Sequence, residues 1–406
     1  MQTKPELLAP AGNWSSLKTS VESGADSVYF GVKGLNMRNL SGNFDVLELP
    51  KVMAYLREHH KKGYLTLNTV VQNEDMPKVR SILRAAGESQ VDAVILWDMG
   101  IFQLARAAGL TIHLSTQASV SNIQAVSMYA RLGVKRIVLA RECTLEDIRS
   151  IKRQMIEEKI DCELEGFIHG AMCVSVSGRC FMSSETFGQS ANRGECIQPC
   201  RREYTIIDQD GQSSYVLGED YVLSAKDLCS LEFIDQLMVS GLDSFKIEGR
   251  LRSPEYAREV VACYRTAIDA CRSGTFDVSL KTILLERLRK VYHRGFSTGF
   301  YFGQPGKDDI SRRLGHEKEK IYIGDIKRVF RKINVGELHI KCNDLKIGDQ
   351  VIIMGKTTSA KITTIEEMQS EHQPIPQAGR GEKVGIKIPP GVKPNDKVFL
   401  WQNKMS

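Results

Sequence analysis

Cys173, Cys180, Cys196, Cys200 and Cys229 crowd one stretch of a 406-residue chain that holds ten cysteines in all. They sit in E-G-F-I-H-G-A-M-C-V-S-V-S-G-R-C (165–180), N-R-G-E-C-I-Q-P-C-R-R (192–202) and S-A-K-D-L-C (224–229), among Gly and polar residues. Thiols in such company pack a core poorly, but as thiolates they are good ligands for soft metals. Four thiolates supplied from loops are the usual holders of an iron–sulfur cluster. The spacing lacks the paired C-x2-C knuckles of a zinc ribbon. Gly178, Gly194 and Pro199 supply the tight turns that let a long loop fold over a cluster. A structural zinc site is the rival reading, and unliganded thiols the blandest one. Cys143, Cys162, Cys263, Cys271 and Cys342 fall in helix or strand patterns, or at a strand end, and read as core filler.

A second constellation is polar. Glu6, Asn68, Asp98, Gln117, Glu142, His169, Lys246, Glu248 and Arg250 lie on or just after apolar, strand-like runs. Polar side chains there are costly unless paired, so they line a site or form buried ion pairs. Glu6, His169, Lys246, Glu248 and Arg250 are the catalytic candidates. Asn68, Gln117, Glu142 and Arg179 are the substrate-binding candidates. Lys246, Arg250 and Arg179 have the chemistry to hold a small anion. His169, next to Gly170, can instead orient the loop. There is no H-E-x-x-H, no G-x-S-x-G and no cysteine-protease context. His59-His60 reads as a surface pair and His316-Glu317 as linker, neither with a third metal ligand.

Residues 1–272 alternate short apolar runs with amphipathic helices. The strand candidates are 6–11, 27–32, 64–71, 93–98, 111–117, 136–142, 162–169 and 244–249. Helical patterns lie between them, as at 50–62, 122–132 and 145–159. Thr144 with Asp147 makes a capping box, and Ser253-Pro254 opens a helix over 253–271. Eight strand–helix units fit an α/β fold of the (β/α)8, TIM-like kind. An open doubly wound sheet is the rival, but no Gly-rich dinucleotide turn follows the first strand. The cysteines fall in an insertion at 170–230 after strand seven, and loops there carry the chemistry of such barrels. A helical and loop linker follows at 273–318. From 319 to 406 short alternating strands (321–329, 337–341, 350–354, 361–366, 383–388, 397–401) predict a small β-barrel domain.

Charge separates the two parts. Residues 307–406 hold 19 Lys+Arg against 13 Asp+Glu, whereas the preceding 306 hold 36 of each. The excess points to a polyanion-facing tail domain. No apolar run reaches the roughly 18–20 residues that span a bilayer, and residues 1–8 lack the apolar segment of a signal peptide. The expectation is a cytoplasmic protein without a membrane partner, in a compartment that keeps thiols reduced.

With these residues in view, E-G-F-I-H-G-A-M-C-V-S-V-S-G-R-C-F-M-S (165–183) resembles the signature of the peptidase U32 family, the collagenase-like proteases. E-L-L-A-P-A-G (6–12), G-A-D-S-V-Y-F-G (24–31), N-R-G-E-C-I-Q-P-C-R (192–201), S-A-K-D-L (224–228), F-K-I-E-G-R (245–250) and R-G-F-S-T-G-F (294–300) resemble it in the same order. The resemblance implies an oxygen-independent hydroxylase carrying a [4Fe–4S] cluster, despite the family name. The barrel plus β-domain layout is similar to the tRNA-hydroxylating branch, which makes 5-hydroxyuridine at the wobble position and draws on prephenate. It implies tRNA, a small anionic donor such as prephenate, and an electron or oxygen donor as partners, with the basic tail domain docking RNA. The alternatives within the resemblance are a collagenase-like peptidase or a hydroxylase of an rRNA base or a quinone precursor. Cys173, Cys180, Cys196 and Cys229 match the ligand pattern of one branch, and Cys200 matches a ligand position of another. The fourth ligand is therefore open between Cys200 and Cys229.

Overall fold

Alternation along eight short strands decides what lies inside and outside the sheet they form. In the computed structural model they are β1 (Glu6–Ala11), β2 (Ser27–Gly31), β3 (Lys62–Thr66), β4 (Ala93–Leu96), β5 (Ile112–Leu114), β6 (Arg136–Val138), β7 (Glu163–Gly170) and β8 (Ser244–Ile247). The structure describes residues 4–202, 224–306, 309 and 318–403, plus the backbone of Thr205–Ile207 and Ser214–Val216. Each barrel strand pairs in parallel with the next, and β8 pairs with both β7 and β1, closing the TIM-like barrel that the sequence predicts. Strands β3 to β6 end before the apolar runs do. Asn68, Asp98, Gln117 and Glu142 therefore lie on loops past the strand ends, at the mouth.

Outward side chains such as Leu7, Val28, Phe30, Leu65, Val94, Leu114, Ile137, Leu164 and Phe245 are fully buried. They meet the helices around the barrel: α1 (Trp14–Glu22), α2 (Leu49–Glu58), α3 (Met76–Glu88), α4 (Met99–Ala107), α5 (Ile123–Arg131), α6 (Leu145–Glu157), and, after a short α7 (Met182–Phe187) that belongs to the insertion, α8 (Ile234–Met238), α9 (Pro254–Ser273) and α10 (Val278–Arg289). Side-chain N-caps start several of these helices. Thr144 and Asp147 form the expected capping box on α6, whereas Asp98, expected to line the site, instead caps α4 by accepting from Gly100 and Ile101. Ser253 holds the N-cap position of α9, but its side chain makes no cap hydrogen bond. No helix among the described residues is long and apolar enough to cross a membrane.

The inward face is polar at its lower end. Arg136 bonds Glu6 at 2.7 Å and lies 3.3 Å from Glu165, while Lys246 reaches Glu165 at 2.8 Å. Ser27 and Tyr64 donate to Glu6 at 2.6 and 2.9 Å. Burial alone would raise the Glu6 carboxyl, but Arg136, Ser27 and Tyr64 together hold it down at about 2. His113 packs edge-on against Tyr64 in this layer. Burial, then the nearby Arg136 charge, drives its pKa from 6.5 to about 3, so the folded ring stays neutral. The unfolded chain takes up that proton near pH 6.5 and the folded chain does not. Stability therefore falls as pH drops from about 6.5 to 3. A His113→Phe variant should unfold less steeply across that window, by about one proton in the slope of unfolding free energy against pH. An unchanged slope would show that His113 is not the group responsible.

The tail domain forms its own core of Ile323, Ile326, Leu338, Ile340, Val351, Ile353, Val384, Ile386 and Val398. Its strands are β9 (Lys318–Phe330), β10 (Val335–Ile340), β11 (Gln350–Met354), β12 (Lys361–Thr364), β13 (Met368–Ser370), β14 (Lys383–Lys387) and β15 (Lys397–Asn403). They pair antiparallel in the order β12-β11-β15-β9-β10-β14-β13. The short strand Gln373–Pro374 pairs on the far side of β13 as the eighth strand, making the separate antiparallel β-domain that the sequence predicts. The domain docks on the flank of the barrel, along α1 from Ser15 to Glu22 and on the first turn of α9. Ser15 donates to the Thr358 carbonyl at 2.7 Å, the Ala360 amide donates to Thr19 Oγ1 at 3.1 Å, and Lys320 pairs with Glu255 at 2.7 Å.

Of the cysteines expected to fill cores, Cys143, Cys162 and Cys263 are buried and Cys271 is half-buried. Cys342 departs from the expectation. It is exposed, because it lies just past the end of β10. His316 and Glu317 lie outside the described residues, as does much of the 203–223 part of the insertion.

Candidate functional site

The insertion leaves β7 through Gly170, whose φ is +110° and whose absent Cβ would meet the Glu248 carbonyl oxygen at 2.5 Å. Only glycine lets the chain turn that close over β8. The N-R-G-E-C turn then docks across the mouth. Arg193 pairs with Asp75 at 2.7 Å, the Val70 amide donates to the Asn192 carbonyl at 2.9 Å, and the Asn39 amide donates to the Gly194 carbonyl at 3.0 Å. At Gly194 (φ +88°) a Cβ would strike the Asn36 carbonyl oxygen at 2.1 Å, so the turn needs its glycine. Glu142 fastens the same insertion by accepting from the Ser177 amide at 2.9 Å.

Between the insertion and the barrel mouth lies one cavity. Cys173, Cys180, Cys196 and Cys200 all line it. Cys229 does not. Its thiol is buried behind the wall, 3.7 Å from the Tyr264 hydroxyl of α9, and burial raises its pKa to about 11. Burial likewise pushes the Cys200 thiol up, and Cys173 and Cys196 are close enough to add to the effect. No three His, Cys, Asp or Glu side chains among the described residues gather tightly enough to hold one metal ion. The thiols ring a space instead of converging on a point. Arg201, beside Cys200, also lines the cavity. Its Nε is buried without a hydrogen-bond partner among the described residues. Burial, then the charges of Arg294 and Arg252, lowers its pKa to about 10. A soft, anionic group set among these thiols suits both the donors and the unmatched charge.

The opposite wall is built from loops at the strand ends. Glu248 accepts from Arg38 at 3.0 Å and from the Tyr29 hydroxyl at 3.4 Å, and lies 4.0 Å from Arg141. Burial would raise this carboxyl, but Arg38, Arg141 and Arg250 hold it at about 2. It is thus a fixed anion that organises guanidinium groups and a weak base. Arg250 is buried and donates to Thr66 at 2.6 Å and Asn36 at 3.0 Å, both neutral. Its Nε is buried without a partner, and burial lowers its pKa to about 10. Arg141 stacks 4.1 Å over Phe167. On the floor, Lys246 lies 4.7 Å over the Tyr29 ring. Asn68 donates to Ser115 at 3.3 Å and Gln117 at 3.4 Å, making an amide-lined wall.

The structure therefore gathers Asn68, Gln117, Lys246, Glu248 and Arg250 with four of the cysteines, and separates four other candidates. Glu6 begins β1, so it lies at the barrel's closed end, bonded to Arg136. His169 is turned outward by a register shift between β7 and β8, where Lys246 faces Phe167 but Ile247 faces His169. A one-residue slip moves a side chain to the other face of a sheet. The ring accordingly packs between Tyr256, Tyr264 and Phe296, and burial keeps it neutral with a pKa of about 3. Arg179 lies two residues after Ser177, whose φ is +47°, and points out of the cavity onto Ser119 and Trp97. Glu142 secures the insertion without lining the cavity. The sequence reading missed Tyr29, Arg38, Arg141 and Arg201. Arg141 carried a usable signal, as a cation just past the end of β6. Arg38 sits in a Gly/Asn-rich loop with no pattern of its own.

The profile of peptidase family U32 matches residues 12–311. An uncharacterized protease of Methanocaldococcus jannaschii is 42% identical over 406 residues, spanning 98% of this chain and 99% of that protein. A collagenase of Porphyromonas gingivalis is 38% identical over 407 residues, spanning 98% of each. The tRNA hydroxylation protein P1 of Bacillus subtilis is 36% identical over 377 residues, spanning 91% of this chain and 87% of that protein.

Proposed function

This chain belongs to peptidase family U32, and from that premise we propose that it is an RNA-hydroxylating enzyme working in the thiol- and arginine-lined mouth of its barrel. The observation that carries the reading is the convergence of Cys173, Cys180, Cys196 and Cys200 with Arg38, Arg141, Arg201 and Arg250 on one cavity, in a chain similar over most of its length to a tRNA hydroxylation protein. Within that reading the four thiols hold a [4Fe–4S] cluster, and the preferred product is 5-hydroxyuridine at the tRNA wobble position. Replacing a ring C–H by C–OH is a two-electron oxidation, so the site needs an electron carrier and an oxygen source. The cluster supplies one-electron chemistry when bound. Arg250, Arg38 and Arg141 offer planar donors for a carboxylate, which suits a prephenate-like donor. Asn68 and Gln117 offer amide edges that read a base. The basic tail domain, docked on α1 and α9, provides phosphate contacts.

The names of two relatives favour a peptidase as the second reading. No histidine among the described residues lines the cavity, so its thiols lack the imidazole partner that activates a cysteine nucleophile. Protein purified without oxygen should be brown, absorbing near ~400 nm through thiolate-to-iron charge transfer, and should leave gelatin intact. A colourless protein with one zinc would overturn the cluster. Gelatin cleavage lost on changing one cavity residue would establish the peptidase.

A further inference from the structure

The R-G-F-S-T-G-F segment (294–300) has no place in the chemistry above, yet it contains the largest fully buried side chain among the described residues, Arg294. Both Nε and Nη2 of Arg294 bond Asp227 Oδ1, at 2.9 and 2.6 Å. Nη1 donates to Ser224 Oγ at 3.2 Å, and Nη2 also reaches the Met172 carbonyl at 3.4 Å. Met172 precedes Cys173, where the insertion enters the cavity wall. Ser224 and Asp227 lie where the chain returns from it. The backbone reinforces the tie. The Asp227 amide donates to the Gly295 carbonyl at 3.0 Å. The short strand Asp227–Cys229 pairs with Phe296–Ser297 on one side and with the end of β7 on the other. Asp227 is 1% exposed and also faces Arg252 at 3.5 Å. A buried pair is kept only where its geometry and hydrogen bonds repay desolvation. Here the forked guanidinium spends its bonds on the two ends of one loop.

We propose that Arg294 is a positioning residue that sets Cys173, and with it the ring of thiols, by clamping both ends of the cysteine insertion. It does not line the cavity and acts through Met172 and Asp227. The proposal rests on the reading that the thiols hold a cluster. Lysine keeps the charge but not the fork, so Arg294→Lys isolates the geometry. Two measurements on the full chain test it, with circular dichroism confirming the fold. The first is iron and acid-labile sulfide after anaerobic reconstitution. The second is the alkylation rate of Cys173, relative to buried Cys143, in the metal-free protein. R294K should lower iron affinity by about 10–100-fold, the range for outer partners of metal ligands, and should speed alkylation of Cys173. If R294K does not fold, Ser224→Ala, which removes one bond of the clamp, should give smaller changes of the same sign. Folded R294K, or folded S224A in its place, with wild-type iron and a wild-type alkylation rate would overturn the proposal. Wild-type protein that binds no iron, combined with faster Cys173 alkylation in R294K, would instead overturn the cluster reading and leave the clamp standing.

Discussion

Cys200→Ser is expected to strip the protein of its cluster and of RNA hydroxylation, whereas Cys229→Ser should leave both largely intact. The sequence reading puts Cys229 in the ligand set with Cys200 as its alternative, and the geometry favours Cys200. Cys200 lines the cavity with Cys173, Cys180 and Cys196. Cys229 is 5% exposed and packs against Tyr264 behind that wall. Loss of an outer partner already costs about 10–100-fold in affinity or activity, and loss of a ligand should cost at least as much. Serine is nearly the same size and removes only the soft donor. Iron per chain, absorbance near ~400 nm and the modified-nucleoside level should fall together in C200S. C229S should lose stability modestly through its packing while keeping iron. The reverse pattern, with C229S colourless and C200S brown, would return Cys229 to the ligand set.

Arg136→Met should be the most destabilising single change in the barrel interior. Its guanidinium is 3% exposed and holds Glu6 at 2.7 Å, Glu163 at 2.6 Å and Glu165 at 3.3 Å. Met fills similar volume, but it removes the buried cation from Glu6, leaving the Ser27 and Tyr64 hydroxyls, and leaves Glu165 with Lys246 and the Ser244 hydroxyl. Removing one side of a buried pair costs about 3–5 kcal/mol. Denaturant unfolding should show the midpoint falling with little change in slope. A loss under about 1 kcal/mol would mean that water or rearrangement already satisfies those carboxylates. Glu6→Gln should weaken the protein in the same assay without abolishing the modified nucleoside, because Glu6 lies at the barrel end opposite the mouth.

The barrel was legible because its outward strand faces are almost uniformly apolar and because Thr144 with Asp147 marks the start of a helix. The cysteine insertion was legible because thiols among glycines have few structural uses. Residue roles at the strands were harder. Glu6 and Glu248 both belong to polar–apolar strand patterns, and which end of the barrel each occupies depends on whether it starts a strand or follows one. His169 obeys the alternation of β7 until the register shift at its last turn of pleat, and a bulge has no clear sequence mark. Arg38 and Arg201 reach the cavity from loops whose paths are set by distant contacts, such as Gly194 against Asn36. The tail domain's strands were legible from alternation and turns. Their pairing order depends on register between strands far apart in sequence, such as β9 with β15.

The most direct measurement is nucleoside mass spectrometry of total tRNA from a strain lacking this gene and any paralogue, complemented with wild type, C200S or C229S. A thiol-ringed, RNA-hydroxylating mouth predicts that 5-hydroxyuridine and its derivatives vanish in the deletion, return with wild type and C229S, and stay absent with C200S. Unchanged 5-hydroxyuridine derivatives in the deletion, or full restoration by C200S, would contradict it.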